Sequence, residues 1–467
     1  MSKHAQRKYL FEEVYEYLWK RIERSDWKTG DKLPSIRELS LEMNVHRLTV
    51  FKAYQMLKQQ GKVFVKDKSG YYVQGSSTPP LDGPSLLRAN EKTYNLSDIH
   101  QQSVQYQFSQ ALIDPNLLPN HFLSDYVKKV FDLYPKVLST YSTVQGDMEL
   151  RDTLANYFIK RYKTHLSLND ILITSGSQQA LHLISQLFIK PRDTVLLERP
   201  SYSAAIDIFK SQDAHLIAID IQPYGYDLEQ VEMLMKKYKP RLFYVNPTFH
   251  NPTGYTVPTA QRKKLVELAE RYNCLIVEDD AYHDIYFEKA PPPPLYTFDT
   301  AGVVIYVRSF CKYVSPGLRV AACIVPPALK DGLLTVKALA DNGSPLLNQK
   351  IFLHYFSSPR LQQHLEKLRI ALQIRKEIME EELQKTNWSW VSPDGGLNLW
   401  VQLPDPLPTE KLLPKAMENS VSFVPGLICD PLQQGFSSSL RLSYSYANEE
   451  QLRVGVRKLI EVVNTYA

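Results

Sequence analysis

The stretch SFCKYVSPGLRVA, residues 309–321, places one lysine, Lys312, in a setting that decides how most of this chain is interpreted. The lysine follows a short apolar β-type run, with Ser309 three residues before it and Arg319 seven residues after it. A Schiff-base lysine needs a cleft and a nearby partner for a cofactor's phosphate. Ser309 and Arg319 offer a hydroxyl and a bidentate cation for that purpose. A lysine near an arginine is more often a pair of surface residues. The assignment of a cofactor site therefore depends on four further segments of the chain.

Two segments earlier in the chain carry groups suited to a planar, phosphorylated ligand. TSGSQQALHL (174–183) follows a β-type run and opens a helix, so its backbone N–H groups, with Ser177 and Gln178, can cradle a phosphate. ERPSYSAA (198–205) presents Tyr202 directly after a predicted strand end, where an aromatic ring can stack on a planar ring.

Two further segments supply an amide and a carboxylate. The turn-rich stretch NPTFHNPTG places Asn251 as a donor to a phenolic oxygen. VEDDAYHDIYF (277–287) ends a predicted strand with an acidic pair, and a carboxylate held against a pyridine nitrogen keeps that nitrogen protonated. Asp279 and Asp280 are both candidates for this role. Tyr282, three residues later, is a further candidate for binding the cofactor, and the spacing to it favours Asp279.

The large second part of the chain alternates helical patterns with short apolar runs. These runs are Ile171–Thr174, Thr194–Leu197, Leu242–Val245, Leu275–Val277 and Val303–Val307. Such alternation predicts an α/β fold with a mainly parallel sheet.

The five chemical segments, in this order, resemble the fold-type I, class I/II aminotransferases from about residue 105 to the C-terminus. The resemblance implies a mainly parallel seven-stranded sheet, a small C-terminal α/β subdomain and pyridoxal 5'-phosphate (PLP) on Lys312. It implies that Tyr141, in YSTVQGDMELRDTLANYF, reaches the neighbouring subunit's phosphate, and that Arg441, in SLRLSYS, grips a substrate carboxylate. The implied phosphate ligands are Ser177, Gln178, Ser309 and Arg319.

The first 75 residues differ from the rest in charge and pattern. They contain 15 Lys and Arg against 9 Asp and Glu, so the chain's net charge of +5 is concentrated there. Three predicted helices, the third at about 47–60, precede two β-type runs, Val63–Val65 and Tyr71–Val73, as in a winged helix-turn-helix. A basic terminal module of this outline is typical of a DNA-binding surface.

The start of the third helix is expected to face the bases of DNA in the major groove. An arginine can fork onto guanine, a threonine can contact a thymine methyl, and a lysine usually meets phosphate. Each of these residues taken alone is more often a solvated surface group. The candidates are Arg37, His46, Arg47, Thr49 and Lys52, with Lys66 or Lys68 on the hairpin as further backbone contacts.

The string GDKLPSIRELSLEMNVHRLTVFKAYQMLKQQGKVF resembles the GntR-type winged helix family, although His46 stands where that family usually has serine. Joined to an aminotransferase-like body, it resembles the MocR/GabR family of bacterial transcription regulators. The predicted domains are 1–75 for DNA, a Gly/Ser/Pro-rich linker at 76–100, and 101–467 for PLP. The resemblance implies a homodimer, often head-to-tail, that binds an operator and senses PLP or an amino compound.

Two other interpretations remain open at this point. The chain could be a PLP aminotransferase with an appended DNA-binding domain, because every residue that transamination needs is present. It could also be a DNA-binding protein whose large domain only dimerises, although intact Lys312, Asp279 and Arg319 argue against that. His182, His250, Tyr286 and Tyr313 are interpreted as structural residues.

Other classes of protein are disfavoured by composition. The four cysteines show no spacing typical of a zinc site or of a disulfide framework. Cys311, beside the lysine, stands where the aminotransferases often have serine or threonine. The sequence has neither a run of eighteen apolar residues nor a secretory signal, so a cytoplasmic protein without a membrane span is expected.

Overall fold

The computed structural model describes residues 10–24, 26–28, 30–59, 62–66, 70–73, 99, 104–310, 312–404 and 406–466. The chain divides into two compact units, Met1–Thr93 and Tyr94–Ala467. Lys68, Cys311 and nearly all of the predicted linker lie outside the described residues.

The N-terminal unit is a three-helix bundle with a β-hairpin. Its elements are α1 (Leu10–Glu23), α2 (Ile36–Glu42), α3 (Arg47–Gln59), β1 (Val63–Lys66) and β2 (Gly70–Val73). Ser35 caps α2 in a reciprocal capping box with Glu38, which satisfies two backbone N–H groups at the helix start. Apolar residues at helical spacing, among them Val14, Leu18 and Leu57, close one fully buried core. The winged helix-turn-helix outline is confirmed.

The C-terminal unit is organised around a large mixed sheet. Its strands are β3 (Tyr106–Gln107), β4 (Ile171–Thr174), β5 (Thr194–Arg199), β6 (His215–Gln222), β7 (Gly225–Tyr226), β8 (Leu242–Val245), β9 (Leu275–Asp280), β10 (Val304–Ser309), β11 (Ala321–Ile324), β12 (Ser389–Trp390), β13 (Asn398–Gln402), β14 (Val421–Ser422), β15 (Val424–Pro425) and β16 (Ser439–Ser443). The large sheet has the order β4-β11-β10-β9-β8-β5-β6-β7.

The strand directions confirm the mainly parallel sheet. Strands β10, β9, β8, β5 and β6 run parallel, whereas β11 is antiparallel to both of its neighbours. The sheet has eight strands rather than the expected seven, because the two-residue β7 folds back on the edge strand β6. The central strands are buried on both faces, which explains why their sequences read as continuous apolar runs.

Several strands extend beyond their apolar runs at the carboxyl end. Strand β5 continues to Arg199, β9 continues to Asp280, and β10 runs from Val304 to Ser309. The apolar runs stop short of these ends because the last residues are polar, and these residues are nevertheless buried or half-buried. The carboxyl ends of parallel strands are where α/β folds place their ligands.

Helices cover the large sheet and build the smaller C-terminal part. They are α4 (Asn120–Leu133), α5 (Met148–Tyr162), α6 (Ser177–Phe188), α7 (Ser203–Lys210), α8 (Leu228–Tyr238), α9 (Thr259–Tyr272), α10 (Pro327–Asp341), α11 (Leu346–Phe356), α12 (Pro359–Leu383), α13 (Thr409–Glu418) and α14 (Glu449–Tyr466). Strands β12, β13, β16 and β15 form a four-stranded sheet, and β14 pairs with β3. This arrangement is the expected C-terminal α/β subdomain.

None of the described helices combines the length and the apolar character that crossing a membrane would take.

Two leucines of α3 allow a matched test of the N-terminal core. Leu57 is fully buried, whereas Leu48 is 57% exposed. Leu57→Ala is expected to lower the free energy of unfolding of this unit by about 2–5 kcal/mol, because it leaves a cavity. Leu48→Ala is expected to change it by less than about 0.5 kcal/mol. Urea unfolding followed by hydrogen exchange in α1–α3 measures both, and equal effects would contradict this core.

Candidate functional sites

Four chain segments meet at the carboxyl end of the parallel strands. Strand β9 ends at the Asp279–Asp280 pair, β10 ends at Ser309 just before Lys312, and β5 is followed by Tyr202. Beside them, the turn after β4 leads into α6. The predicted site residues of these segments therefore lie along one edge of the sheet, as its topology requires.

Asp279 is a buried carboxylate with an unused oxygen. Its Oδ2 accepts a hydrogen bond of 2.9 Å from the Tyr244 hydroxyl, while Oδ1 has no partner among the described residues. Burial raises the pKa of Asp279 to about 7, although the Tyr244 hydrogen bond acts against this. A buried acid with a free oxygen is suited to meet a protonated nitrogen.

Asp280, the alternative candidate, is already committed to other groups. Its Oδ2 contacts His283 at 2.8 Å and Arg308 at 3.1 Å, and it accepts a hydrogen bond from Tyr306. Burial would raise the pKa of Asp280, but the neighbouring charges of His283 and Arg308 hold it well below its usual range. The Asp280 Oδ1 also lacks a partner among the described residues, but the charge of Asp280 is already balanced by Arg308, so the arrangement favours Asp279 for a ligand contact.

Lys312 opens onto a small cavity of about 100 Å³. The lining residues are Leu112, Gly176, Ser177, Gln178, Tyr202, Ser309, Lys312, Pro316 and Arg319. All four predicted phosphate ligands are among them. The backbone N–H groups at the start of α6 add a partial positive charge, so the cavity suits a phosphate.

Two residues at this cavity have a backbone conformation with positive φ. Gly176 caps α6 with φ of +92°, and Arg319 adopts φ of +51°. The Arg319 Nη2 donates to the Ser175 carbonyl at 3.1 Å. A Cβ atom at residue 176 would lie only 2.5 Å from that Nη2, so glycine is needed for the arginine to lie across the turn.

A polar network supports the same turn from behind. The Gln179 side chain accepts from the Ser175 N–H at 2.7 Å and donates to Asp341 at 2.8 Å. Asp341 in turn pairs with the buried Lys337 at 2.6 Å. This network fixes the entry into α6 and hence the direction of its N–H groups.

A second cavity of about 350 Å³ shares Leu112, Gln178, Tyr202 and Lys312 with the first and extends to Arg441. Its remaining lining residues are Gln110, Ala111, Ala204, Asp207 and Asn251. Its volume suits a small ligand. Lys312 therefore lies between a phosphate-sized cavity and a larger one.

Arg441 is buried but incompletely paired. It donates from Nη1 to the Asn251 Oδ1 at 3.0 Å and from Nη2 to the Ser109 carbonyl, whereas Nε has no partner among the described residues. A guanidinium held at the wall of a cavity in this way is suited to bind a carboxylate. The Asn251 side chain, with Oδ1 used, keeps its Nδ2 as a donor.

The tyrosines predicted for the site have different environments. Tyr202 lines both cavities and accepts from Gln178 at 3.2 Å. Tyr282 is buried, and burial raises its pKa to about 12. Tyr141 is 87% exposed and lies outside the lining of both cavities within this chain. The role expected for Tyr141 therefore needs a second subunit.

The residues interpreted as structural are placed as follows. His250 is buried against Thr253 and Glu198, and Tyr313 is buried with its hydroxyl on Asp284. Tyr286 stacks beneath the Arg369 guanidinium at 3.7 Å, and His182 is an exposed residue of α6. None of these side chains lines either cavity.

Sequence reasoning missed the segment 110–112. Gln110, Ala111 and Leu112 line the larger cavity, and the Ala111 carbonyl accepts from the Lys312 Nζ at 3.3 Å. The segment reaches the site because β3 pairs with β14, more than 300 residues further along the chain. No local pattern in YQFSQALID could have indicated this.

Asn246 was also missed. Its Nδ2 donates to the Asp279 carbonyl at 2.5 Å, and its Oδ1 accepts from the Asn251 N–H at 2.8 Å. It therefore joins the Asn251 loop to the end of β9. Its place at the end of the predicted strand β8, in the same stretch as Asn251, was an available signal.

The N-terminal unit presents a basic surface at the start of α3. The predicted DNA contacts Arg37, His46, Arg47 and Lys52 are exposed, and Thr49 is half-buried. The side chains of Arg37 and Arg47 make no hydrogen bond or ion pair within the described part of the chain. Lys66, on the hairpin, lies over the Tyr72 ring at 4.7 Å.

The raised pKa of Asp279 predicts a pH dependence for the ligand-free protein. Between about pH 4 and pH 7 the folded state holds a proton that the unfolded chain has released, so the free energy of unfolding falls as pH rises. Asp279→Asn removes this contribution and should stabilise the protein relative to wild type as pH rises from about 5 to about 8. Urea unfolding of both forms measures the difference. The exposed Asp331→Asn is the control, and identical pH profiles for wild type and Asp279→Asn would contradict the assignment.

Two family models match the chain. Aminotransferase class I and II matches residues 119–459, and bacterial regulatory proteins, gntR family, matches residues 10–73. The uncharacterized HTH-type transcriptional regulator YisV of Bacillus subtilis is 32% identical over 97% of this chain and 95% of its own length. The 2-aminoadipate transaminase of Thermus thermophilus is 34% identical over 75% of this chain and 88% of its own length.

A solved structure agrees with these family matches. The Pyrococcus horikoshii kynurenine aminotransferase, solved with PMP, kynurenine as substrate and KYA as product, has a TM-score of 0.75 and 29% identity, over 79% of this chain and 93% of its own. Aminotransferases of this class use PLP, and the unpaired Asp279 oxygen, the phosphate-sized cavity and Lys312 fit that group. The chain belongs to the aminotransferase class I and II family, in the GntR-fused, MocR-type branch whose relatives are named HTH-type transcriptional regulators.

Proposed function

We propose that this protein is a DNA-binding transcriptional regulator that senses PLP, or an amino compound bound with PLP, through Lys312. The observation that carries the proposal is the presence, in one chain, of a basic helix-turn-helix surface and a cavity pair around Lys312 that suits PLP. Residues 1–75 bind double-stranded operator DNA, 76–100 form the linker, and 101–467 hold the cofactor. A regulator of this kind works in the bacterial cytoplasm, on the nucleoid when it is bound to DNA.

Different residues would bind different parts of the cofactor. Lys312 supplies the amine to which PLP is attached, and PLP supplies an electron sink for amino compounds. Asp279 would keep a proton on the pyridine nitrogen, and Tyr202 would stack on the ring. Asn251 would donate to the phenolic oxygen, and Tyr282 would be a further contact of the cofactor. The phosphate is held by Ser177, Gln178, Ser309 and Arg319, together with the N–H groups of α6.

Arg441 binds the carboxylate of the amino compound. Arg441 lines the larger cavity and not the phosphate-sized one, which supports this role. Because its Nη1 already bonds to Asn251, a bound carboxylate would join a preformed pair. Such a pair orients the ligand so that its amine faces Lys312.

A homodimer completes the site. Leu138, Tyr141 and Met148 are 71%, 87% and 63% exposed, so large apolar groups in and around the Tyr141 segment lack cover within this chain. A second copy would cover them and would bring its Tyr141 to the phosphate. The predicted linker is long enough to permit a head-to-tail exchange of N-terminal units between subunits.

Sensing and DNA binding are coupled by differential affinity. A ligand that binds one arrangement of the domains more tightly shifts the population towards that arrangement, and operator affinity changes with it. The cavity around Lys312 is where such a ligand would act.

A PLP aminotransferase with an accessory DNA-binding unit is the second candidate. The pairing of Arg441 with Asn251 and the unpaired Asp279 oxygen keep this candidate open, because both features suit turnover as well as sensing. Accumulation of oxo acid over many turnovers distinguishes this candidate from a sensor, in which the reaction stops at an adduct or after a single half-turn.

Lys312→Ala tests the sensing site. The variant is expected to lose both the absorbance band of lysine-bound PLP and the effect of amino compounds on operator occupancy, because the attachment point is gone. Lys411→Ala, an exposed lysine of α13 away from both cavities, is the control and should retain both properties. An unchanged ligand response in Lys312→Ala would remove the basis of the proposal.

Arg47→Ala and Lys52→Ala test the DNA surface separately. Loss of a base contact at Arg47 is expected to cost about 1–3 kcal/mol and to relax specificity at one base pair. Loss of a phosphate contact at Lys52 is expected to weaken all sequences alike and to reduce the salt dependence by about one phosphate. Fluorescence anisotropy on duplexes selected by the wild type from random DNA measures both. Lys58→Ala, at the other end of α3, is the control. If Arg47→Ala bound the selected duplexes with wild-type affinity, the start of α3 would be excluded as the DNA-binding surface.

A further inference from the structure

The larger cavity carries one charged group that the proposed function does not use. Asp207 belongs to α7 and follows Ala204 by one helical turn, so both side chains face the cavity. The opposite face of α7, with Ile206 and Phe209, is buried in the core. Asp207 is an exposed residue overall, which places its carboxylate at the cavity mouth.

The Asp207 carboxylate is not committed to another side chain. It makes no hydrogen bond or ion pair with any other described residue. Lys210, one turn further along α7, is the charged neighbour that acts on it electrostatically. Partial burial raises the pKa of Asp207, and the Lys210 charge acts against this, so the group has already lost part of its hydration. A partly desolvated carboxylate without a hydrogen-bond partner gains from a cation placed beside it.

The charges in the cavity are arranged for a ligand with three ionic groups. Arg441 can bind a carboxylate, Lys312 is the position at which one amine would react, and Asp207 supplies a negative charge at the mouth of the cavity. A second cationic group on the ligand would meet Asp207. An acidic side chain would instead place a carboxylate against it, which costs binding energy.

We propose that Asp207 selects amino acids that carry a second cationic group, an ammonium or a guanidinium, as the ligand of this site. This inference depends on the proposed function, because it takes Lys312 and Arg441 as the attachment and carboxylate-binding residues. It adds the chemical class of the ligand, which neither of those residues specifies.

Matched ligand pairs test the selection directly. L-lysine and L-norleucine differ by the distal ammonium, as L-ornithine and L-norvaline do. Calorimetric titration of the PLP-loaded full-length protein gives a dissociation constant for each ligand. For at least one pair, the basic member is expected to bind about five- to tenfold more tightly, the range for a charged contact at a partly exposed site.

Variants at residue 207 assign the preference to this carboxylate. Asp207→Asn should bring the ratio of the two dissociation constants to about one, because it keeps the shape and removes the charge. Asp207→Lys should reverse the preference in favour of L-2-aminoadipate. Asp331→Asn, an exposed aspartate of α10 away from the cavity, is the matched control and should keep the wild-type ratio.

The outcomes separate this inference from the proposed function. A ratio in Asp207→Asn equal to that of wild type, or a wild-type preference for L-2-aminoadipate over L-lysine, overturns the role of Asp207 while leaving Lys312 as the sensing residue. Failure of the wild type to bind any of these ligands also overturns it. If PLP itself fails to attach to Lys312, the proposed function is overturned as well.

Discussion

The site depends on one buried arginine. Arg308, on β10, contacts Asp280 of β9 at 3.1 Å and Asp284 at 2.5 Å, and all three side chains are buried. Removing one member of such a group leaves an unpaired buried charge, which typically costs about 3–5 kcal/mol. The contact joins two neighbouring parallel strands at the end where Asp279 and Lys312 emerge. It therefore fixes the spacing between the carboxylate and the lysine.

The same group reaches the lysine loop. Tyr313, the residue after Lys312, donates from its hydroxyl to Asp284 at 2.5 Å, and its carbonyl contacts His364 at 2.7 Å. Lys312 is thus next to a residue, Tyr313, that is held by Asp284 and His364, while its own side chain lines the two cavities. A site held in this way can convert the binding of a small ligand into a change of population, because its walls do not relax around the ligand.

The sequence predicted those features that local spacing determines. The lysine segment, the turn at Gly176, the acidic end of β9 and the helix-turn-helix could all be recognised, because each is carried by a few neighbouring residues. The antiparallel β11 and the cavity wall at Ala111 could not, because strand pairings between distant segments create them. Asp207 was missed for a similar reason: an aspartate on an amphipathic helix has the pattern of a solvated surface group, and only the cavity reveals its use.

In the proposed regulator, the cavity at Lys312 and the DNA surface are energetically coupled. Reciprocity makes this measurable: if an amino compound changes operator affinity by a given factor, operator DNA must change the affinity for that compound by the same factor. Both affinities would be measured on the PLP-loaded full-length protein, with oxo acid quantified in parallel. A sensor is expected to give equal factors different from one, without sustained oxo acid production. Factors of one in both directions, with oxo acid accumulating over many turnovers, would contradict it.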